Sequence, residues 1–362
     1  MKNNNKTIFM KKPILMLAIL FSSIFAAGQG INFQELTLDQ AIAKAKLENK
    51  FVFIDTYTDW CGPCKMMDKD IYPMKEMGDY FNPKFISVKF NAEKGEEGPA
   101  VKTKYRIQAY PTYVILDGDG NLLHMFAGGV LGLAFIDKIE ESFNPEKAFG
   151  VLQKSYNEGN RDKKLVANYI KALGGTYTAD ITKMVEDFAN SLSEDELICE
   201  ECLFIFDDMA RLNSPKGKFV LDNVEKFRKE VGRDKTDLLL KKKFEAYYAG
   251  VLGKQSNPIQ TDLDEKSVIL ENLKLNNSKV LNLYKEAIKV YMNKEGVESL
   301  YKNITAFSVG SDKNELIRFL YFTIPALSDL WNEDQTKELL ALIGDEQTRV
   351  RVAKDLERKK KI

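Results

Sequence analysis

Apolar residues follow two rhythms along this chain. Up to about residue 143, short unbroken apolar runs alternate with stretches of helical spacing. Beyond about residue 145 only the helical rhythm continues. In the first part, Leu38, Ile42 and Ala45 fall on one side of a helix within 36–46. The run 51–56 reads as a buried strand, and 84–91, with Phe85, Ile86, Val88 and Phe90, as a second. A helix is expected after residue 61, a loop over 95–99 and a short helix over 100–105. Residues 113–116 form a third strand, ended by the turn 117–121. Residues 122–126 pair back as a hairpin, and a helix over 133–143 closes the unit. Strand, helix, strand, helix, then a hairpin and a last helix predict an α/β fold with a mixed sheet flanked by helices.

The second part reads as an all-α region. Helices are expected over 146–156, 163–173, 181–192, 219–231, 237–252, 280–292 and 316–330. Leu165, Val166, Tyr169, Ile170 and Leu173 form one apolar stripe, and Gly174-Gly175 is expected to stop that helix. Ser193 and Glu196 make a capping box that opens a helix through Met209, and Asn332 with Gln335 gives another N-cap signal. The segment lengths fit either a helical-hairpin array or a compact irregular helical domain.

The first residues change the picture of where this protein works. Lys11 and Lys12 precede an apolar run from Pro13 to Ala27, with small residues at Ala26-Ala27-Gly28. This is the pattern of a secretory signal peptide; an uncleaved anchor is the competing reading. The expected organisation is a leader over 1–28, an α/β domain over 29–144 and a helical domain over 145–362. The destination is the periplasm in a Gram-negative cell and otherwise the exterior. The whole chain is formally neutral, and its first 28 residues hold four lysines and no acid, so the remainder carries about −4. Nothing here points to a nucleic-acid partner. The single histidine, His124, argues against a His-rich metal site. No cofactor or metal is called for, and the basic stretch 358–361 reads as a solvated helix end.

The chemistry concentrates in Trp60-Cys61-Gly62-Pro63-Cys64-Lys65. Two thiols three positions apart, between a buried strand and a helix, are arranged for disulfide exchange. The unpaired N–H groups and partial positive charge of a helix start favour a thiolate at Cys61, below the free value of about 8.5. Cys64 stands where it can attack a mixed disulfide on Cys61. The sulfur pair is expected to be exposed at the helix tip.

With these residues go the strand 50–55, Tyr57-Thr58-Asp59 before the motif, Val88-Lys89-Phe90-Asn91, and the stretch from Tyr105 through Tyr110-Pro111-Thr112. Together they resemble the thioredoxin family, especially the thioredoxin-like domain of bacterial thiol:disulfide interchange proteins. The resemblance covers 36–143. It implies that Cys61 is the attacking thiolate, Cys64 the buried resolving thiol, and that the two form a redox disulfide. It further implies that Asp55 is a buried proton acceptor partnered by Lys89, and that Pro111 is a cis-proline beside the site. Trp60, Gly62, Pro63, Tyr110, Pro111 and Thr112 would form the substrate surface. Members with Gly-Pro inside the motif tend to be reductants, and Pro63 supplies no charge to stabilise the thiolate further. The implied partners are protein or peptide disulfides and an upstream thiol donor such as a membrane reductase. The reading from another class is a binding or assembly module of the cell envelope with incidental redox activity.

A second pair, Cys199-Glu200-Glu201-Cys202, falls on the expected helix with both thiols on its apolar arc and four acids opposite. The readings are buried cysteines acting as small apolar residues, a structural disulfide, a second active pair or a zinc site shared with the first. Nearby acids disfavour a thiolate, while helical i and i+3 Cα atoms, about 5 Å apart, permit a disulfide.

Overall fold

The computed structural model describes residues 30–207, 212–253, 260–344 and 346–359. The proposed leader, Met209 and the last two lysines lie outside the described residues. Helix α1 (Leu38–Glu48) is opened by a capping box between Thr37 and Gln40. Then come β1 (Phe51–Tyr57), α2 (Gly62–Met66), α3 (Lys75–Lys84), β2 (Phe85–Asn91), α4 (Glu97–Lys104), β3 (Thr112–Leu116), β4 (Leu122–Ala127) and α5 (Ala134–Glu140). A wider, π-type turn over Met67–Ile71 continues α2. Helix α4 starts inside the segment expected as a loop and takes Pro99 into its first turn, where no helical N–H is lost.

The four strands lie in the order β2-β1-β3-β4. β1 runs parallel to β2, and β3 is antiparallel to both β1 and β4. Alternation along β1 sorts its side chains. Phe53 faces a core made with Met67, Ile71, Phe81, Tyr113 and Phe135, beneath the helix of the cysteine motif. Val52 and Ile54 face the opposite core, with α1 and α4. A strand covered on both sides needs no polar alternation, which is why 51–54 is continuously apolar.

Helices α6 (Phe149–Asn157) and α7 (Lys163–Thr176) also belong to this second face: Phe149, Leu152 and Tyr169 are buried in its core. Helix α6 lies almost on β4. A Cβ on Gly150 would stand 2.0 Å from the Leu122 carbonyl oxygen, so only glycine permits the approach. At its start the Phe149 N–H donates to His124 Nδ1 (3.0 Å). Burial, helped by Lys138, lowers the His124 pKa to about 3, which keeps the ring neutral and that nitrogen an acceptor.

The remaining chain is helical: α8 (Thr182–Asn190), α9 (Glu194–Leu197), α10 (Leu203–Phe206), α11 (Pro215–Asp222), α12 (Val224–Glu230), α13 (Arg233–Leu252), α14 (Gln260–Asn272), α15 (Lys279–Asn293), α16 (Val297–Ser308), α17 (Lys313–Ala326), α18 (Glu333–Ala341) and α19 (Glu346–Lys359). One apolar core runs from Ala167 and Ile170 of α7 to Val352 and Leu356 of α19. Helices α13, α15 and α17 touch in all three pairs. In an open stack each unit meets only its neighbours, so this trio has the closed packing of the compact alternative. Among the described residues no helix is long and apolar enough to cross a membrane.

Several expected boundaries move. Helix α7 runs through Gly174-Gly175 and ends at Tyr177, which takes the left-handed conformation. Gly174 serves packing instead: a Cβ there would lie 2.8 Å from Ile181 Cδ1. The helix expected over 219–231 breaks at Asn223, whose amide donates back to the Phe219 carbonyl (3.0 Å). The Ser193–Glu196 capping box forms, but α9 stops at Leu197 and residues 198–202 are a turn. A continuous helix would stack Glu196 on Glu200 and place acids at its C-terminal end, both unfavourable.

Candidate functional site

Strand β1 ends at Tyr57, and a turn leads into the cysteine motif. The Cys61 N–H donates to the Thr58 carbonyl (3.2 Å). Cys61 is the N-cap of α2, with extended backbone (φ −71°, ψ 107°), and its Sγ accepts the Cys64 N–H at 3.1 Å. Pro63 sits in the first turn, where its missing N–H is no loss. Cys61 and Cys64 are joined as a disulfide, with Cα atoms 5.3 Å apart.

Cys64 is buried, as the resemblance implies, but Cys61 is not exposed at the helix tip as expected. Cys61 and Cys64 are each 3% accessible in this oxidised state. As N-cap, Cys61 turns its sulfur back over the helix start to meet the Cys64 N–H and Sγ. The exposed group is its neighbour Trp60, at 66%. Trp60 Nε1 donates to Glu93 Oε2 (3.0 Å), and its ring meets Tyr110 edge-on with centroids 5.8 Å apart. That contact brings the distant 105–111 loop against the motif. The Tyr110–Pro111 peptide bond is cis, and the Pro111 carbonyl accepts the Gly128 N–H (2.8 Å).

Of the expected substrate surface, Pro63 is exposed and Gly62 and Tyr110 are half-buried, whereas Pro111 is buried. Thr112 is turned inward. Its side chain is fully buried and its hydroxyl donates to the Ala109 carbonyl (2.7 Å), while Thr56 donates to the Thr112 carbonyl (2.7 Å). As the first residue of β3 it spends its hydroxyl and its carbonyl on holding the strand.

An ionic cluster joins β1 and β2 to the segment that follows α2. Register pairs Asp55 with Lys89 on β2 and with Tyr113 on β3. Asp55 is 1% exposed; its Oδ2 lies 3.4 Å from Lys89 Nζ, and its Oδ1 has no hydrogen-bond partner. Burial pushes its pKa up to about 6, opposed by Lys89 and by the Tyr72 hydroxyl. Tyr72 and Tyr113 hydroxyls lie 3.3 Å apart, and burial raises both phenols well above their ordinary value. Lys89 also hydrogen-bonds Asp68, on the turn after α2. The sequence reading missed Asp68, although it stands four residues after Cys64 and thus on the same helical face.

Known proteins share this domain. Thioredoxin 1 of Chlorobaculum tepidum is 33% identical over 94 residues, covering 26% of this chain and 83% of that protein. The chain belongs to the thioredoxin family. The family model for the thioredoxin-like domain matches residues 38–142. Thioredoxin-T of Drosophila melanogaster is 34% identical over 91 residues, which is 25% of this chain; the chain spans about half of that relative's length, 52%. A solution structure from Bacteroides thetaiotaomicron is 34% identical, covers 33% of this chain and 98% of that one, and has a TM-score of 0.30. The thioredoxin domain thus carries an intact cysteine pair and a buried acid on the strand that leads into it.

The second cysteine pair lies in the turn between α9 and α10, not on a helix. Both thiols are free; Cys202 is buried and Cys199 partly so. The Cys202 N–H donates to the Cys199 carbonyl (3.3 Å), and burial pushes the Cys202 thiol far above its ordinary range, reinforced by Cys199, Glu201 and Glu196. Glu200 pairs with Lys235 (2.5 Å) and Glu201 approaches Lys164 (3.8 Å). The turn therefore ties α7 to α13, and its thiols have the setting of packing groups.

Proposed function

We propose that this chain is an exported thiol–disulfide oxidoreductase that reduces disulfides in other proteins. The observation that carries the reading is the Cys61–Cys64 disulfide at the start of α2, with Cys61 Sγ accepting the Cys64 N–H. That N–H and the helix start favour negative charge on Cys61 once the bond is opened. The Cys61 thiolate attacks one sulfur of a client disulfide, forms a mixed disulfide and releases the first client thiolate. Cys64 then gives its proton to Asp55 and attacks Cys61 Sγ. The Cys61–Cys64 bond re-forms, the second client thiolate leaves, and two electrons have passed to the client. Both client thiolates take protons from water. An upstream thiol donor, such as a membrane reductase, returns the pair to its reduced form.

Trp60 and Pro63 give the client an exposed apolar approach beside the sulfurs. The helical region borders this approach: Gln108, in the loop leading to Tyr110, donates to the Thr178 carbonyl just after α7 (3.3 Å). Selecting or holding clients is the role that this contact supports.

The full chain carrying Cys64→Ser, exposed to envelope proteins, should accumulate adducts on Cys61 that a reductant releases. The wild-type chain should reduce insulin disulfides. Its cysteine pair should equilibrate with glutathione near the reducing end of the family range, about −270 mV, and not near −120 mV. Absence of both adducts and insulin reduction leaves the binding or assembly module as the function.

A further inference from the structure

Lys89 serves two carboxylates at once. Its Nζ hydrogen-bonds Asp68 Oδ1 and lies 3.4 Å from Asp55 Oδ2. Phe33, Tyr57 and Tyr72 surround it, with ring centroids 5.2, 5.0 and 5.1 Å away. These rings confine the ammonium between the two acids. Asp68 sits at the outer end, 44% exposed, and Asp55 at the buried end, with one oxygen unpartnered.

We propose that Asp68 is a positioning residue for the redox step: by engaging Lys89 it prevents that cation from fully neutralising Asp55, and so keeps Asp55 a competent proton acceptor. The proposal rests on the exchange reading above, in which Asp55 takes the Cys64 proton. The charges show why. Lys89 and Asp68 together are neutral, so ionising Asp55 leaves one uncompensated negative charge in a buried site. Without Asp68, Lys89 and ionised Asp55 would themselves be neutral.

Removing Asp68 thus acts twice in one direction. It deletes a repulsive charge, and it frees Lys89 to close on Asp55. The groups facing Asp55 are Lys89 from β2, Tyr113 from β3, and Tyr72 and Asp68 from the segment after α2. The two phenols are held neutral by burial, so Lys89 and Asp68 are the charges that matter. Each has a defined sign. Burial alone raises an acid's pKa, Lys89 lowers it, and Asp68 raises it again.

The test follows the Asp55 carboxyl carbon by NMR in the oxidised full chain labelled at aspartate, assigned with Asp55→Asn. Asp68→Asn should lower its titration midpoint by about 1 pH unit, and Lys89→Met should raise it. Asp68→Glu should restore it to near the wild-type position. Resolution of a preformed Cys61 mixed disulfide should show the same shifts in its pH profile. An Asp68→Asn midpoint that stays in place or moves up overturns the proposal. Lys89→Met reads the same coupling from the other side if Asp68→Asn does not fold; a fall there overturns it equally. If the midpoints move as stated but Asp55→Asn resolves the mixed disulfide at the wild-type rate, the assignment of Asp55 as proton acceptor is what fails.

Discussion

Asp55→Asn should make the oxidised protein more stable above pH 6 and leave its stability nearly unchanged below pH 4. The carboxyl is 1% exposed, has one oxygen without a partner, and titrates near 6 instead of 3.8. That is a rise of about two units, and at about 1.4 kcal/mol per unit it corresponds to about 3 kcal/mol. The sign follows from proton binding. The unfolded carboxyl loses its proton near 4 and the folded one near 6, so between these values the folded state holds more proton. Stability therefore falls as pH rises through the window and levels off above it. Asparagine carries no such titration. The variant's advantage should grow from near zero below pH 4 to about 3 kcal/mol above pH 6.

The assay is chemical unfolding of the oxidised full chain, with and without Asp55→Asn, from pH 4 to 8. The chain has two tryptophans, so a Trp331→Phe background leaves Trp60 to report the thioredoxin domain alone. The remaining carboxylates are common to both proteins and cancel in the difference. A difference independent of pH, or one that shrinks as pH rises, refutes the assignment of the raised pKa to burial of this group. The same variant should resolve a Cys61 mixed disulfide more slowly, since no acceptor remains for the Cys64 proton.

Gly150→Ala should destabilise the chain by about 1–3 kcal/mol, because the new Cβ overlaps the Leu122 carbonyl and must lift α6 from β4; thermal unfolding measures it, and an unchanged midpoint would contradict the close approach. In a Cys61→Ser/Cys64→Ser chain, maleimide at neutral pH should label Cys199 ahead of Cys202, which should react fully only on unfolding. Peptide mass spectrometry reads this directly, and equal native labelling of both would refute it. Trp60→Ala should lower kcat/KM for a protein disulfide about fivefold, the equivalent of about 1 kcal/mol of lost aromatic contact. A small-molecule disulfide should be affected less, and equal losses for both would place Trp60 in the chemistry and not in client docking.

The α/β part was legible because its strands are buried on both faces and announce themselves as continuous apolar runs. The cysteine motif, Asp55, Lys89 and Pro111 were all visible, though their nearness was implied by resemblance; the direct pairing of Asp55 with Lys89 is a matter of strand register. Asp68 was not read, because a lone acid on a helix is ordinarily solvated. The burial of Thr112 was not read, because sequence does not show that its hydroxyl is spent on Ala109. In the helical part, stripes revealed α7, α13, α15 and α17, but tertiary contacts set their ends. Gly174 looks like a stop until Ile181 is seen packed against it. Helices α14 and α16 were not anticipated, and of α19 only the basic end was read. In α14 the buried positions include Lys266 beside Leu270, so the inner face carries a charge that masks its period.

One strand separates the two tasks of the thioredoxin domain. Successive residues of β1 face opposite ways, so Phe53 and Asp55 look toward the cysteine helix while Val52 and Ile54 look toward α1. The covering helices α6 and α7 add to the second face, and through α7 the long helical core is joined to the sheet. The buried acid can therefore be retained on one side without weakening the attachment on the other. Its cost of about 3 kcal/mol is large beside the net stability of a domain, and an uncharged residue of the same shape would remove it. A carboxylate retained here, next to a cation already held by a second acid, is a cost that packing alone would not select, and a strongly perturbed buried acid of this kind marks a candidate functional group.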